Sequence, residues 1–162
     1  MTKEMIGRLN EQMALEFSSG YLYLGFAARL EALALPGAAH WYRIQAEEEL
    51  KHGMRIYEYL IRMAAEVELG TVSAPQDIPE DFAGIAEAGL GHERFITGSV
   101  EGILYHAIDE DDYQTQQFLQ WFITEQIEEE ENARGIIDAL DRVAGCKAGL
   151  ALLDEKMGGR NE

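Results

Sequence analysis

The chain has 162 residues, of which 47% are hydrophobic and 27% charged, a composition typical of one globular domain with a single core. A formal net charge of −17 argues against binding to nucleic acid or to an anionic membrane surface, and is compatible with attracting cations. A single cysteine excludes an intrachain disulfide framework and a cysteine-based zinc or iron–sulfur site within one chain. We therefore expect one domain over residues 1–162.

The start of the chain, MTKEMIGRLNEQ, has no apolar run behind a basic stretch, which predicts no signal peptide. No apolar stretch in the sequence reaches 18 residues, which predicts no membrane span. A cytoplasmic location is the simplest expectation. The simplest explanation of the high negative charge is that it keeps the protein soluble, without any role in attracting cations.

Four long segments carry apolar residues at alternating steps of three and four, the periodicity of bundle helices. The pattern predicts helices over about 4–35 (ending at the motif LPG), 39–69 (ending near Gly70), 82–109 and 113–144, and a short one over 148–156. The stretch 70–82 contains two prolines and no periodicity, so it is a connection. A long connection allows two helices to run parallel, so we predict an all-α four-helix bundle with one long crossover and a short C-terminal fifth helix.

Each of the four long segments carries one glutamate within its apolar stripe, and two of them add a second polar residue. The glutamates are Glu16, Glu49, Glu93 and Glu129, and the additional residues are His52 and Gln126. Four unpaired carboxylates in one core would repel each other and mostly protonate. A pair of divalent cations at the centre of the bundle would remove both problems.

The spacing of these residues supports a shared metal site. Glu49 and His52 stand three apart, which places both side chains on one helix face, and Gln126 and Glu129 repeat the spacing. Oxygen-rich ligands with an imidazole suit iron or manganese better than a metal that prefers thiolates. Each residue alone has a plainer explanation, a wrongly drawn stripe or a chance Glu-x-x-His. The coincidence of one acid per helix, each in register, favours the metal.

Four stretches together resemble the non-haem ferritins of bacteria and archaea, and the resemblance covers nearly the whole chain. They are LNEQMALEFSSGYLYL (9–24), WYRIQAEEELKHGM (41–54), GHERFIT (91–97) and FLQWFITEQIEEEE (118–131), and LALLDEK (150–156) resembles the family's short fifth helix. The resemblance implies a catalytic di-iron ferroxidase centre within each subunit. In it Glu16 and His52 bind the first iron, Glu49 bridges, and Glu93 binds the second iron.

The resemblance extends to residues around that centre. Gln126 matches the family's glutamine beside it, and Glu129 matches an acid that faces the second iron. A third iron site is implied at Glu48, Glu125 and Glu128, for which an acidic helix surface is the alternative. The acidic turn Asp109–Asp112 follows the third helix, where the family lines its three-fold pores, and a solvated turn is the alternative there.

The function implied by the resemblance is iron storage and detoxification. Fe(II) is oxidised to Fe(III) by dioxygen or peroxide and kept as a ferric oxyhydroxide mineral inside a homo-oligomeric shell of 24 subunits. Outward apolar residues such as Tyr21, Phe26 and Trp41 would need subunit partners to cover them. No haem is expected, because Leu50 stands where bacterioferritin has its haem-binding methionine.

Two alternatives stay open: a di-iron oxidase or peroxidase of the same superfamily that stores no mineral, and a metal-free structural bundle. Tyr23 is expected in the core, with a hydroxyl able to hydrogen-bond a ligand carboxylate. His40, His92 and His106 lack a pairing partner at helical spacing and are expected on the surface.

Overall fold

The computed structural model describes residues 1–161, which form five helices and contain no strand. The helices are α1 (Lys3–Ala32), α2 (Pro36–Arg62), α3 (Phe82–Asp109), α4 (Tyr113–Arg142) and α5 (Lys147–Met157). The four long helices have 30, 27, 28 and 30 residues, so their lengths match across the bundle. The predicted all-α bundle with a short fifth helix is confirmed. None of the helices in this described part is long and apolar enough to cross a bilayer.

The two halves of the bundle are antiparallel hairpins, α1 with α2 and α3 with α4. Side chains early in α1 contact the later part of α3, as in the hydrogen bond between Gln12 and Ser99, while Ser19 contacts His92. Helices α1 and α3 therefore also run antiparallel, so α2 and α3 point in the same direction. The long crossover, residues 63–81, makes this topology possible.

Helix α2 ends at Arg62, well before the end predicted near residue 69. Ala64 takes the left-handed conformation (φ 52°) that often closes a helix. The side chain of Asn10 then holds the following backbone: its Nδ2 donates to the carbonyl of Glu66 at 3.0 Å, and its Oδ1 accepts from the N–H of Glu68 at 2.9 Å. These tertiary hydrogen bonds override the helix propensity of the stretch AAEVEL, so the helical prediction there is wrong.

The corner between α1 and α2 also differs from the prediction. Helix α1 ends at Ala32, and the motif LPG opens α2, with Pro36 at the first helical position, where its missing N–H costs nothing. Helix α5 docks on this corner. A Cβ on Gly37 would lie 1.8 Å from the backbone oxygen of Asp154, and the Asp154 carboxylate accepts from the N–H of Ala38 at 2.8 Å.

The apolar core consists of two clusters, one toward each end of the bundle. One contains Phe26, Tyr42 and Ile85, and the other contains Leu9 and Ile96. Phe26 is thus buried, so its predicted place on an outer face is wrong, whereas Tyr21 is 50% exposed as expected. Between the clusters, all four long helices contribute buried polar residues, and this polar layer contains the candidate site.

Candidate metal centre

The polar layer brings together the six residues that the sequence singled out. Their exposed fractions are 5% or less, and they are Glu16, Glu49, His52, Glu93, Gln126 and Glu129. Each glutamate is buried because the residues seven positions before and after it, two turns away on the same helix face, lie in the two core clusters. The fold therefore places one carboxylate from each long helix in one buried layer.

The possible ligand atoms form three overlapping sets, and within each set all atoms lie within 4.8 Å of one another. The sets are Glu16, Glu49 and His52; Glu49, Glu93 and Glu129; and His52, Glu125 and Glu129. Glu49 belongs to the first two sets, so its carboxylate is placed to bridge two cations. Bridging carboxylates are a common way to hold two metal ions a few ångströms apart.

Glu16 has one satisfied oxygen and one unsatisfied oxygen. Gln12 Nε2 donates to Glu16 Oε1 at 2.8 Å, and Ser99 Oγ donates to Gln12 Oε1 at 2.6 Å. The bond from Ser99 fixes the orientation of the Gln12 side-chain amide. Among the described residues, none is hydrogen-bonded to Glu16 Oε2, which is fully buried. Buried polar atoms nearly always find a partner, so this oxygen fits a ligand that binds a cation.

Glu93 is held by hydrogen bonds to both of its carboxylate oxygens. The Tyr23 hydroxyl donates to Oε1, so this buried tyrosine makes the hydrogen bond to a candidate ligand carboxylate that the sequence predicted. Gln126 Nε2 donates to Oε2 at 3.1 Å and to the Glu93 carbonyl at 3.2 Å. The amide N–H group of Gln126 is thus used to orient Glu93.

A second glutamine, Gln45, supports the other side of the layer. Its Nε2 donates to Glu129 Oε2 at 2.6 Å and to Glu49 Oε1 at 3.3 Å. Neither Gln45 nor Gln12 was predicted to have a role in the site. Their positions four residues before Glu49 and Glu16, inside the same buried stripes, were the available signal.

The three glutamates expected at a further iron site have different surroundings. Glu125 is half-buried, with Oε1 3.9 Å from His52 Nε2, and joins the third set of possible ligands. Glu48 is paired with the guanidinium of Arg160, and Glu128 is exposed. The structure therefore brings only Glu125 of the three into the ligand sets.

Comparison with known proteins identifies the family of this chain. A family model described as "Ferritin-like domain" matches residues 6–143. The chain belongs to the ferritin-like family. It is 34% identical over 155 residues to the bacterial non-heme ferritin of Campylobacter jejuni, covering 96% of this chain and 93% of that protein. It is 33% identical over 164 residues to the bacterial non-heme ferritin of Staphylococcus epidermidis, covering 99% and 97%.

Solved ferritin structures match the whole bundle. A crystal structure described as an open-pore ferritin from the hyperthermophilic archaeon Archaeoglobus fulgidus superimposes with a TM-score of 0.97 at 31% identity, covering 99% of each chain. An engineered closed form of that protein gives the same TM-score and identity, covering 99% of this chain and 98% of that one.

The electrostatics of the polar layer favour protons or metal cations. Burial, followed by the neighbouring Glu49 charge, raises the pKa of Glu16 well above its usual value. Burial, followed by the charge of Glu93, raises the pKa of Glu49 in the same way. Burial and Glu93 also raise the pKa of Glu129 to about 8. Without a cation, the layer keeps protons near neutral pH, so metal binding must displace them.

The three histidines outside the ligand sets are half-buried, so their predicted surface placement is wrong. His92 Nε2 lies 2.7 Å from Ser19 Oγ, and burial lowers the pKa of this imidazole to about 4. His106 Nε2 lies 3.3 Å from Glu110 Oε1. His40 Nε2 lies 3.0 Å from the backbone oxygen of Arg160.

Proposed function

We propose that the protein stores iron and that it oxidises Fe(II) at a two-metal centre within each subunit. The observation that carries this proposal is the overlap of the ligand sets through Glu49, together with the unpaired buried oxygen of Glu16. The similarity to proteins named bacterial non-heme ferritins supports iron as the metal.

The ligand sets suggest a division of roles at the centre. Glu16 and His52 bind the first iron, Glu93 binds the second, and Glu49 bridges them, with Glu129 facing the second. Gln12, Tyr23 and Gln126 hold the glutamates in place through the hydrogen bonds described above. The carboxylates stabilise the more highly charged Fe(III) over Fe(II), which favours oxidation in the site.

The reaction must balance two electrons for each pair of iron ions. Two Fe(II) ions release one electron each, and a dioxygen molecule that accepts both together with two protons leaves as hydrogen peroxide. Hydrogen peroxide as the oxidant would accept the two electrons and two protons and yield two water molecules. Fe(III) then leaves the centre, and the third ligand set of His52, Glu125 and Glu129 gives it a further position on the way.

The stored iron would form a ferric oxyhydroxide mineral inside a shell of 24 identical subunits. Exposed apolar residues on the long helices, such as Tyr21 at 50% and Phe95 at 56%, provide surface that neighbouring subunits would cover. We propose no haem in this assembly, because the exposed Leu50 offers no ligand atom.

Iron retention tests the proposal. A large excess of Fe(II) per subunit is added in air, the mixture is passed through gel filtration, and the iron that elutes with protein is counted. Tens of ferric ions per subunit in a very large particle are expected from a mineral-storing shell. Two or three per subunit would indicate a di-iron enzyme that stores nothing, and none would contradict the metal centre.

A pair of variants on α2 separates the site from the general acidity of the helix. Glu49→Gln removes the bridging carboxylate and should slow Fe(II) oxidation at least about a hundredfold, since changes in outer-shell partners alone cost 10–100-fold. Glu47→Gln removes the same charge from an exposed position on the same helix and should leave the rate unchanged. Equal rates in the two variants would refute the bridging role.

A further inference from the structure

The segment that follows α5 returns to the bundle and places one arginine beside the polar layer. Arg160 Nη1 donates to Gln45 Oε1 at 2.9 Å, and its Nη2 is bonded to the Glu48 carboxylate. The guanidinium carbon lies 4.3 Å from the centre of the Trp41 ring, and the backbone oxygen of Arg160 accepts from His40 Nε2 at 3.0 Å. The side chain is only 19% exposed, so these contacts fix it in one place.

Gln45 connects this arginine to the candidate ligands. A glutamine amide has an oxygen that accepts and a nitrogen that donates, and a guanidinium only donates. With Arg160 on its oxygen, Gln45 must turn its NH₂ group toward the centre, where it bonds Glu129 at 2.6 Å and Glu49 at 3.3 Å. The reverse orientation would set an amide oxygen against two carboxylates.

We propose that Arg160 is a positioning residue for the metal centre, acting through Gln45 to fix the carboxylates of Glu129 and Glu49. The inference rests on the proposed metal centre and adds to it a residue outside the bundle helices. Arg160 touches no ligand atom directly, so its effect passes through the amide.

The geometry requires an arginine at this position. The planar guanidinium reaches Gln45 and Glu48 at the same time while it stacks on Trp41. A lysine ammonium carries all of its donors on one nitrogen and has no plane to stack on the ring. The pairing with Glu48 also neutralises a carboxylate that stands next to Glu49 in the chain. Glu48 is therefore occupied by Arg160, and Glu49 alone of the two is free to bind a cation.

The docking of α5 on the start of α2 brings Arg160 to the layer. The Asp154 carboxylate accepts from the N–H of Ala38, and Gly37 has no side chain to block the Asp154 backbone. The end of α5 therefore lies against the first turns of α2. Trp41 and Gln45 follow one and two turns later on that helix. The positioning contact therefore depends on the close approach at Gly37.

Cobalt(II) titration of the intact assembly tests the proposal without relying on iron oxidation. Wild type should bind two Co²⁺ per subunit with a visible d–d absorption spectrum. Arg160→Gln should weaken one of the two Co²⁺ sites by about tenfold and change that spectrum, because loss of an outer-shell partner costs 10–100-fold in metal affinity. Arg43→Gln is the matched control: it removes the same charge from α2, where Arg43 pairs with the exposed Glu31.

Two further variants separate positioning from charge. Arg160→Lys keeps the charge but loses the fork, so it should behave like Arg160→Gln. In a Gln45→Leu background, Arg160→Gln should have no further effect, because the connecting amide is already gone.

Three results would overturn the inference. Unchanged cobalt affinity and spectrum in Arg160→Gln, with two ions bound in wild type, would leave the centre standing and remove the positioning role. Tighter binding in Arg160→Gln, with Arg160→Lys equal to wild type, would show that only the charge matters. Absence of cobalt binding in wild type would refute the proposed centre itself.

Discussion

Replacing Glu129 by glutamine should stabilise the metal-free protein at neutral pH. Burial and the charge of Glu93 raise the pKa of Glu129 from 4.5 to about 8, so at pH 7 the folded carboxyl keeps a proton that the unfolded chain has released. Holding that proton costs about 1.4 kcal/mol for each pH unit above 4.5, or about 3 kcal/mol at pH 7. Glutamine is neutral in both states and keeps an oxygen to accept the Gln45 hydrogen bond, so it avoids this cost.

The sign of the pH dependence follows from the direction of the pKa shift. A carboxyl whose folded pKa is raised contributes full stability below pH 4.5 and loses it as the pH rises through about 8. The difference between Glu129→Gln and wild type should therefore be near zero at pH 4.5, about 3 kcal/mol at pH 7, and about 5 kcal/mol above pH 8.

Urea unfolding in the presence of a chelator measures this difference at equal subunit concentration. Glu131→Gln is the matched control, because it removes an exposed carboxylate two residues further along α4. A gain for Glu129→Gln that is the same at pH 4.5 and pH 7 would mean that packing, not ionisation, is responsible. No gain at either pH would show that the raised pKa of Glu129 does not lower the stability of the metal-free protein.

Three further outcomes are expected. Zinc binding by wild type should release more protons per ion at pH 6.5 than at pH 8.5, since Glu129 holds its proton up to about pH 8. Calorimetry in buffers of different ionisation enthalpy measures this release, and equal release at both pH values would contradict the prediction. Asn10→Ala should lower the free energy of unfolding by about 2 kcal/mol and speed hydrogen exchange of the Glu68 amide, and unchanged exchange would show that Asn10 does not hold the crossover. Gly37→Ala should displace α5, because the new Cβ would lie 1.8 Å from the Asp154 oxygen, and limited proteolysis should then cut between α4 and α5; resistance equal to wild type would show that the corner yields elsewhere.

The bundle and its layer of buried polar residues were predictable because both follow from the periodicity of the sequence. A glutamate that interrupts an apolar stripe at mid-helix must be buried in the folded bundle, and this holds for Glu16, Glu49, Glu93 and Glu129. His52 and Gln126 stand three residues from Glu49 and Glu129, and this spacing predicted that they lie in the same layer. One helical wheel for each segment was enough to find the six.

The features that were missed depend on contacts between distant parts of the chain. Helix α2 stops at Arg62 because Asn10, far away in sequence, binds the backbone that follows, and helix propensity contains no information about this. Arg160 lies outside the long helices, where periodicity says nothing about which side chains meet. Gln45 was visible in its stripe, but its role emerged only when Glu129 was found opposite it.

The division of the core into two apolar clusters affects how substitutions in the protein combine. A change near Leu9 and a change near Ile85 lie in different clusters, on either side of the carboxylate layer. Their destabilising effects should simply add in the metal-free protein, since distant independent sites are additive. Two cations bound by residues of all four helices would link the two clusters, and the effects of the two substitutions on stability would no longer add. The size of this deviation from additivity would then measure how fully the centre is occupied.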